Sequence, residues 1–243
     1  LGGVIHYYTK SPILMGSDKI KSSFTSNYTS ANQGLSNNFI TNYSSENWGS
    51  ITSISISKFG DIKMGENREH GFKSWGLTPL YSENSRYSYY SQPSSNSNEN
   101  IQKNTGYSQV DLFQKFLVKI GDTNLLNINI QFSESSDIDR FDQLSITKGN
   151  SLKFSEWYYG PQKRLLISPS LKIFPNRKFM KKGVITFGFQ KINESRIKRK
   201  FNSFNRSHQI ENLKVSSLNG DFDTSFNNDH SISYGIESTY TYN

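Results

Sequence analysis

The most regular feature of the sequence is a two-residue alternation of apolar and polar positions, the period at which a β-strand sends successive side chains to opposite faces. From Asn124 to Phe132, Leu126, Ile128, Ile130 and Phe132 fall on one parity, and Asn127, Asn129 and Gln131 fall on the other. Ile232, Tyr234, Ile236, Tyr240 and Tyr242 form a second stripe against Ser231, Ser233, Gly235, Glu237, Thr239 and Thr241, broken only at Ser238. Val110, Leu112, Phe116, Val118 and Ile120 form a third, with Phe113 and Leu117 on its otherwise polar side. Each stripe predicts a strand with one wet face. The same template fits residues 22–30 (Phe24, Tyr28), 36–44 (Phe39, Tyr43), 50–59 (Ile54, Ile56), 164–174 (Leu165, Ile167, Leu171, Ile173), 183–192 (Ile185, Phe187, Phe189) and 208–218. No segment sustains a helical period. The pattern therefore predicts an all-β, antiparallel up-and-down meander with about nine strands of about ten residues each, the length a tilted strand needs to cross a bilayer.

The links add a second regularity. Those expected after the fourth, sixth and eighth strands are short and turn-like (GDTN, FPNRK, NGDFD), and those after the third, fifth and seventh are longer, with residues 60–106 the longest. Long links at one end of a sheet and tight turns at the other are the habit of bacterial outer-membrane barrels, whose outer loops are long and whose periplasmic turns are short.

Composition narrows the classes further. With 33% hydrophobic residues and a mean hydropathy of −0.66, the chain is too polar for a large packed core, so a conventional enzyme is not the first expectation. No run of about 18 apolar residues could cross a bilayer as a helix. Cysteine is absent from the 243 residues, which removes disulfides and thiolate metal sites. The net charge of +8 invites a nucleic-acid partner, yet the basic residues are spread along the chain except in SRIKRKFNSFNR. No helix-turn-helix, zinc-finger or RNA-recognition signature accompanies them, and no nucleic-acid role is expected.

The opening LGGVIHYYTK resembles the close of the plug domain in TonB-dependent outer-membrane receptors, where Gly-Gly-Val-Ile and a following Thr-Lys lead into the first barrel strand. Here those residues are Gly2, Gly3, Val4, Ile5, Thr9 and Lys10, with His6, Tyr7 and Tyr8 where the family has Asn and a further aliphatic residue. SEWYYGPQKRLLIS and the preceding SSDIDRFDQL are similar to barrel segments of Bacteroidetes-like members. The resemblance implies a transmembrane β-barrel of about 22 strands with a plugged lumen. On this basis residues 1–12 are expected to end the plug, and 13–243 to form the N-terminal portion of the barrel, not closed by itself. The chain is then expected to be a fragment, with most of the plug and the remaining strands lying outside it. The implied function is energised import of a scarce nutrient, a ferric siderophore, haem or similar, across the outer membrane of a Gram-negative bacterium. The implied partners are the TonB energy-transducing complex, acting through the plug, outer-membrane lipid and lipopolysaccharide, and a small-molecule ligand. No cofactor is implied.

Within the long link, Trp75, Arg86, Tyr87, Tyr89 and Tyr90 are the candidate ligand-binding residues, because aromatic faces beside an Arg hold planar or sugar-like ligands by stacking and cation–π contact. Their alternative is a surface loop or aromatic girdle. Trp157, Tyr158 and Tyr159 are expected at the lipid headgroup belt, with Gly160 and Pro161 marking a bulge or strand entry. Arg196, Lys198, Arg199, Lys200 and Arg206 are expected in an outer link, facing lipopolysaccharide phosphates, anionic cargo or simply water. His6, His70, His208 and His230 show no paired metal spacing. Asp137, Asp139 and Asp142 lack the loop glycine and terminal Glu of an EF-hand, leaving a polar loop with Arg140 as internal partner. No catalytic constellation and no metal site is found, so the chain is not expected to be an enzyme. The alternatives are a secreted or surface carbohydrate-binding β-sandwich, which would pack two apolar stripes face to face, and a small outer-membrane barrel enzyme, which would need acidic or His/Ser groups at one rim.

Overall fold

The computed structural model describes residue 3 and residues 8–69, 71–85, 87–175, 177, 179–227 and 230–243. Its chain is all-β with a single short helix, Phe141–Leu144, among the described residues. Nine long strands carry the architecture: β1 (Lys19–Thr29), β2 (Gly34–Ser44), β3 (Trp48–Phe59), β4 (Tyr107–Ile120), β5 (Asn124–Ser135), β6 (Lys163–Ile173), β7 (Lys182–Lys200), β8 (Ser207–Asn227) and β9 (His230–Tyr242). Each pairs antiparallel with its neighbours in sequence, so the sheet is an up-and-down meander. The sheet is not closed: among the described residues β1 pairs only with β2, and β9 only with β8.

Antiparallel pairing sorts the links by end. Links 45–47, 121–123 and 174–181 fall at one end, and 30–33, 60–106, 136–162 and 201–206 at the other. The tight turn at 121–123 uses Gly121 at φ +61, a left-handed conformation open to glycine at little cost. Two expectations fail here. NGDFD is not a turn, because β8 runs through it to Asn227, and SRIKRK is not a link, because β7 runs through it to Lys200. In both places the backbone pairing with the adjacent strand continues past the point where apolar alternation ends.

Register decides which side chains share a face. Phe24, Phe39, Ile54, Leu112, Phe132 and Leu165 lie in one continuous cross-strand row, each paired with the next. Ile20 with Tyr43, Val118 with Leu126 and Leu171, and Phe222 with Tyr234 extend the same face. Much of this face is uncovered: Phe24, Phe39, Ile54, Leu112, Phe187, Ile236 and Tyr240 are exposed, and Phe132 and Leu165 are half-buried. No second sheet packs over them among the described residues, since the other sheets have two strands each. Polar groups that intrude on this face satisfy one another, as where Thr52 Oγ1 donates to Gln114 Oε1 at 2.5 Å. The opposite face is mainly polar, carrying Asn38, Ser53, Ser55, Asp111, Asn129, Gln131, Ser133, Arg164 and Gln190, with Ile51, Phe113 and Leu117 set among them.

The segment around Thr9–Met15 crosses the polar face at the short-link end. The Met15 N–H donates to Ser45 O at 2.9 Å, and Pro12 and Ile13 O lie against Gly49 of β3. Lys115 of β4 points into this crossing with only 6% exposure. Its ammonium donates to Thr9 Oγ1 at 2.9 Å, Ser11 Oγ at 3.2 Å, Thr9 O at 3.3 Å and Lys10 O at 3.4 Å. Neutral oxygens thus compensate a buried charge, and the segment is held to the strand wall.

A candidate ligand cleft at the long-link end

The links 60–106 and 136–162 fold into a cap over one end of the sheet. Its frame is a short strand, Phe154–Tyr159, that pairs with the outer extension of β7, Glu156 opposite Arg199 and Tyr159 opposite Arg196. Ile138–Asp139 pairs with the strand's far edge. Leu144, Leu152, Phe154, Tyr158 and Ile197 are buried here, so among the described residues most of the buried apolar side chains lie at this end. Gly160 ends the short strand with its N–H on Ser195 O at 3.0 Å. A Cβ at Gly160 would run into the Ser195 hydroxyl.

At the centre of the cap is an ion triad. Glu156, 1% exposed, accepts from two arginines. Arg206 reaches it through Nε at 2.7 Å and Nη2 at 2.6 Å. Arg199, 4% exposed, reaches it through Nε and Nη2, each at 3.2 Å. Arg199 Nη2 also donates to Asn84 Oδ1 at 3.0 Å. Asn84 in turn accepts from the Tyr90 N–H at 2.6 Å and donates to Tyr90 O at 3.0 Å. Ser82 Oγ bonds Ser155 O, and Ser155 Oγ bonds Arg199 O. The 82–90 stretch is thereby tied to the strand pair. Burial pushes the Glu156 carboxyl upward, but the hydrogen bonds from Arg206 and Arg199 outweigh it and hold the carboxyl below its ordinary range.

Beside the triad opens a cleft of about 320 Å3 lined by Ser85, Tyr87, Ser88, Tyr89, Arg199, Phe204 and Arg206. The Arg199 guanidinium lies 4.6 Å from the Tyr89 ring centre, and Tyr89 stacks on Phe204 at 4.9 Å. Of the residues expected to bind ligand, Tyr87 and Tyr89 line this cleft. Tyr90 is fixed by Asn84 behind it. Trp75 lies elsewhere in the cap, its carbonyl held by Arg68 Nε at 3.1 Å, and Arg86 lies outside the described residues. Sequence reasoning missed Phe204, and treated Arg199 and Arg206 as loop charges instead of partners of Glu156. The available signal was Phe204 within the basic run and a lone Glu beside the WYY aromatics.

The WYY residues are also placed differently from expectation. Tyr158 is buried in the cap, and Trp157 carries the Arg140 guanidinium 4.5 Å from its ring centre, so they serve the cap and do not extend the open apolar face. Arg140 is the internal partner of the acidic loop: its Nε and Nη2 donate to Asp142 at 3.0 and 2.6 Å. That bond draws the Asp142 carboxyl down to about 2. His6 and His70 lie outside the described residues, and among those described no cluster of His, Asp and Glu could hold a metal ion.

Asp139 behaves oppositely. Burial, reinforced by Asp137, Asp61 and Glu156, raises it to about 7. Its ordinary value is 3.8, so between the two values the folded cap keeps a proton that the unfolded chain has released. Stability then falls as pH rises through that window. We expect the urea midpoint of the cap, followed at Trp157 with Trp48 and Trp75 replaced by Phe, to drop between about pH 4 and pH 7 and to level off above it. Asp139→Asn should flatten the curve; a wild-type midpoint that rises or stays constant over that range is the contrary result.

A second space, a groove of about 620 Å3, lies on the polar face and is lined by Ser53, Ser55, Gln109, Asp111, Gln131 and Arg164 among others. Gln109 and Ser133 both bond Asp111, and Arg164 bonds Gln190. Comparison with protein families, curated proteins and solved structures finds no match to this chain.

Proposed function

We propose that this chain is part of a TonB-dependent outer-membrane receptor, and that the whole protein imports a scarce nutrient such as a ferric siderophore or haem. The observation that carries this reading is the two-sidedness of the sheet. One face presents a continuous apolar row from Phe24 to Leu165, exposed as far as Leu112 and half-buried at Phe132 and Leu165, and the other is rich in amides, hydroxyls and charges. Lipid tails suit the first face and a wet lumen suits the second. In lipid the free edges of β1 and β9 need strand partners, which the remainder of a large barrel provides.

In this reading the cap is extracellular and captures ligand, the polar groove belongs to the lumen wall, and the Thr9–Ser11 segment clasped by Lys115 is where the plug joins the barrel. Force from the inner membrane, delivered by TonB to the plug, opens the passage. The reading is tested in cells with haem and with radiolabelled ferric iron carried by the host's own siderophores. Loss of this gene and loss of TonB should abolish accumulation of the same compound, and the protein should fractionate with the outer membrane. A monodisperse particle recovered without detergent, or uptake that persists without TonB, overturns it.

A further inference from the structure

The triad holds two guanidinium groups against one carboxylate, so it carries one surplus positive charge. That surplus is directed. Arg199 is sealed by Glu156, Asn84, Ser203 O and the Tyr89 ring. Arg206 is the more open of the two at 25% exposure, and spends Nε and Nη2 on Glu156 and Ser85 O. Its Nη1 donates to none of the described residues, and the side chain lines the cleft. The walls around it are aromatic. Phe204 is 84% exposed although one face is stacked on Tyr89, and Tyr87 at 88% exposure completes the rim. A side chain as apolar as Phe204, held bare by a stack beside an unspent guanidinium donor, matches a ligand with a flat ring and a negative group on it.

We infer that the cleft formed by Tyr87, Tyr89, Phe204 and Arg206 binds a small aryl anion, the ring packing on Phe204 and the anionic oxygens taking the open donor of Arg206. Glu156 and Arg199 are positioning residues: they fix the Arg206 plane and stiffen the cleft floor. The inference deepens the capture step proposed above and rests on that reading for its biological meaning, although binding itself is a property of the cap. It selects ligands bearing an aryl carboxylate, phosphate or sulfonate, and disfavours neutral sugars.

The probe is sodium benzoate, with benzyl alcohol and inorganic phosphate as comparators, read by saturation-transfer NMR on the whole protein in detergent micelles with empty micelles subtracted. Benzoate should bind about tenfold more tightly than either comparator, because each lacks one half of the interaction. Arg206→Gln should weaken benzoate by about tenfold. Because Arg206 also holds Glu156, Phe204→Leu provides the independent variant: it leaves the triad intact and should weaken benzoate severalfold while leaving phosphate unchanged. Absence of benzoate binding, phosphate binding as tight as benzoate, or an unchanged Phe204→Leu variant overturns the inference. Failure of cellular uptake with benzoate binding intact would instead count against the receptor reading alone.

Discussion

Glu156→Gln should destabilise the cap by about 3–5 kcal/mol, the range for removing one partner of a buried ion pair, while leaving the nine-strand sheet standing. Gln keeps the shape of Glu, so the loss is one of charge. It leaves Arg199, almost wholly buried, without a counter-ion, and keeps one oxygen where Glu156 offers two, so one of the two Arg206 bonds loses its acceptor. The strand Phe154–Tyr159 should then separate from the end of β7, carrying with it the Asn84–Tyr90 contacts. Hydrogen exchange should show residues 154–159 and 196–200 losing protection, and residues 110–118 and 126–132 keeping theirs. The pH dependence has a definite sign. The folded carboxyl titrates below its ordinary value of 4.5, so wild type has the full stabilisation above that value and loses it as pH falls through the folded one. The variant has nothing to lose there, and the two proteins should converge in strongly acidic solution. Equal protection in both at neutral pH would show that the triad does not hold the cap.

The nine strands were legible because their alternation is imposed by the sheet itself: a strand with one apolar and one polar face must repeat every two residues. Leu126 to Phe132 and Ile232 to Tyr242 carry that signal without help from anything distant. The far ends of β7 and β8 were not legible, because Arg196 to Lys200 and Asn219 to Asp223 are held by cross-strand backbone bonds, and charged or Gly-containing stretches give no stripe to read. The cap escaped for a related reason. Its short strands are two to six residues long, too brief for periodicity, and its centre is a Glu with two Arg drawn from segments more than forty positions apart. Tyr87 and Tyr89 could be proposed from local composition. Their pairing with Phe204 and Arg206 could not, since the long link folds back 115 or more positions to reach that segment. Lys115 illustrates the same limit: within its strand it reads as a lone charge on the wet face, and only the crossing of Thr9–Ser11 explains its burial.

Ile54→Arg and Ser55→Arg differ by one position on β3, and the proposed function requires their effects to be far apart. Ile54 sits in the apolar row between Phe39 and Leu112. Ser55 points to the opposite face, where Asp111 is its cross-strand partner. If the apolar row meets lipid, an arginine at Ile54 places a charge in hydrocarbon near the middle of the strand, at a cost of about 2–4 kcal/mol. The arginine at Ser55 enters a wet, acidic neighbourhood and should be near neutral. In water the contrast would vanish, because Ile54 is already exposed, and surface substitutions of this kind stay within about 0.5 kcal/mol. The measurement is reversible urea unfolding of the whole protein in lipid vesicles, followed at Trp48, the aromatic that opens the same strand. A clear deficit for Ile54→Arg alone supports the membrane-facing assignment. Equal midpoints for the two variants would mean that lipid does not touch this face, and the receptor reading would fall with it.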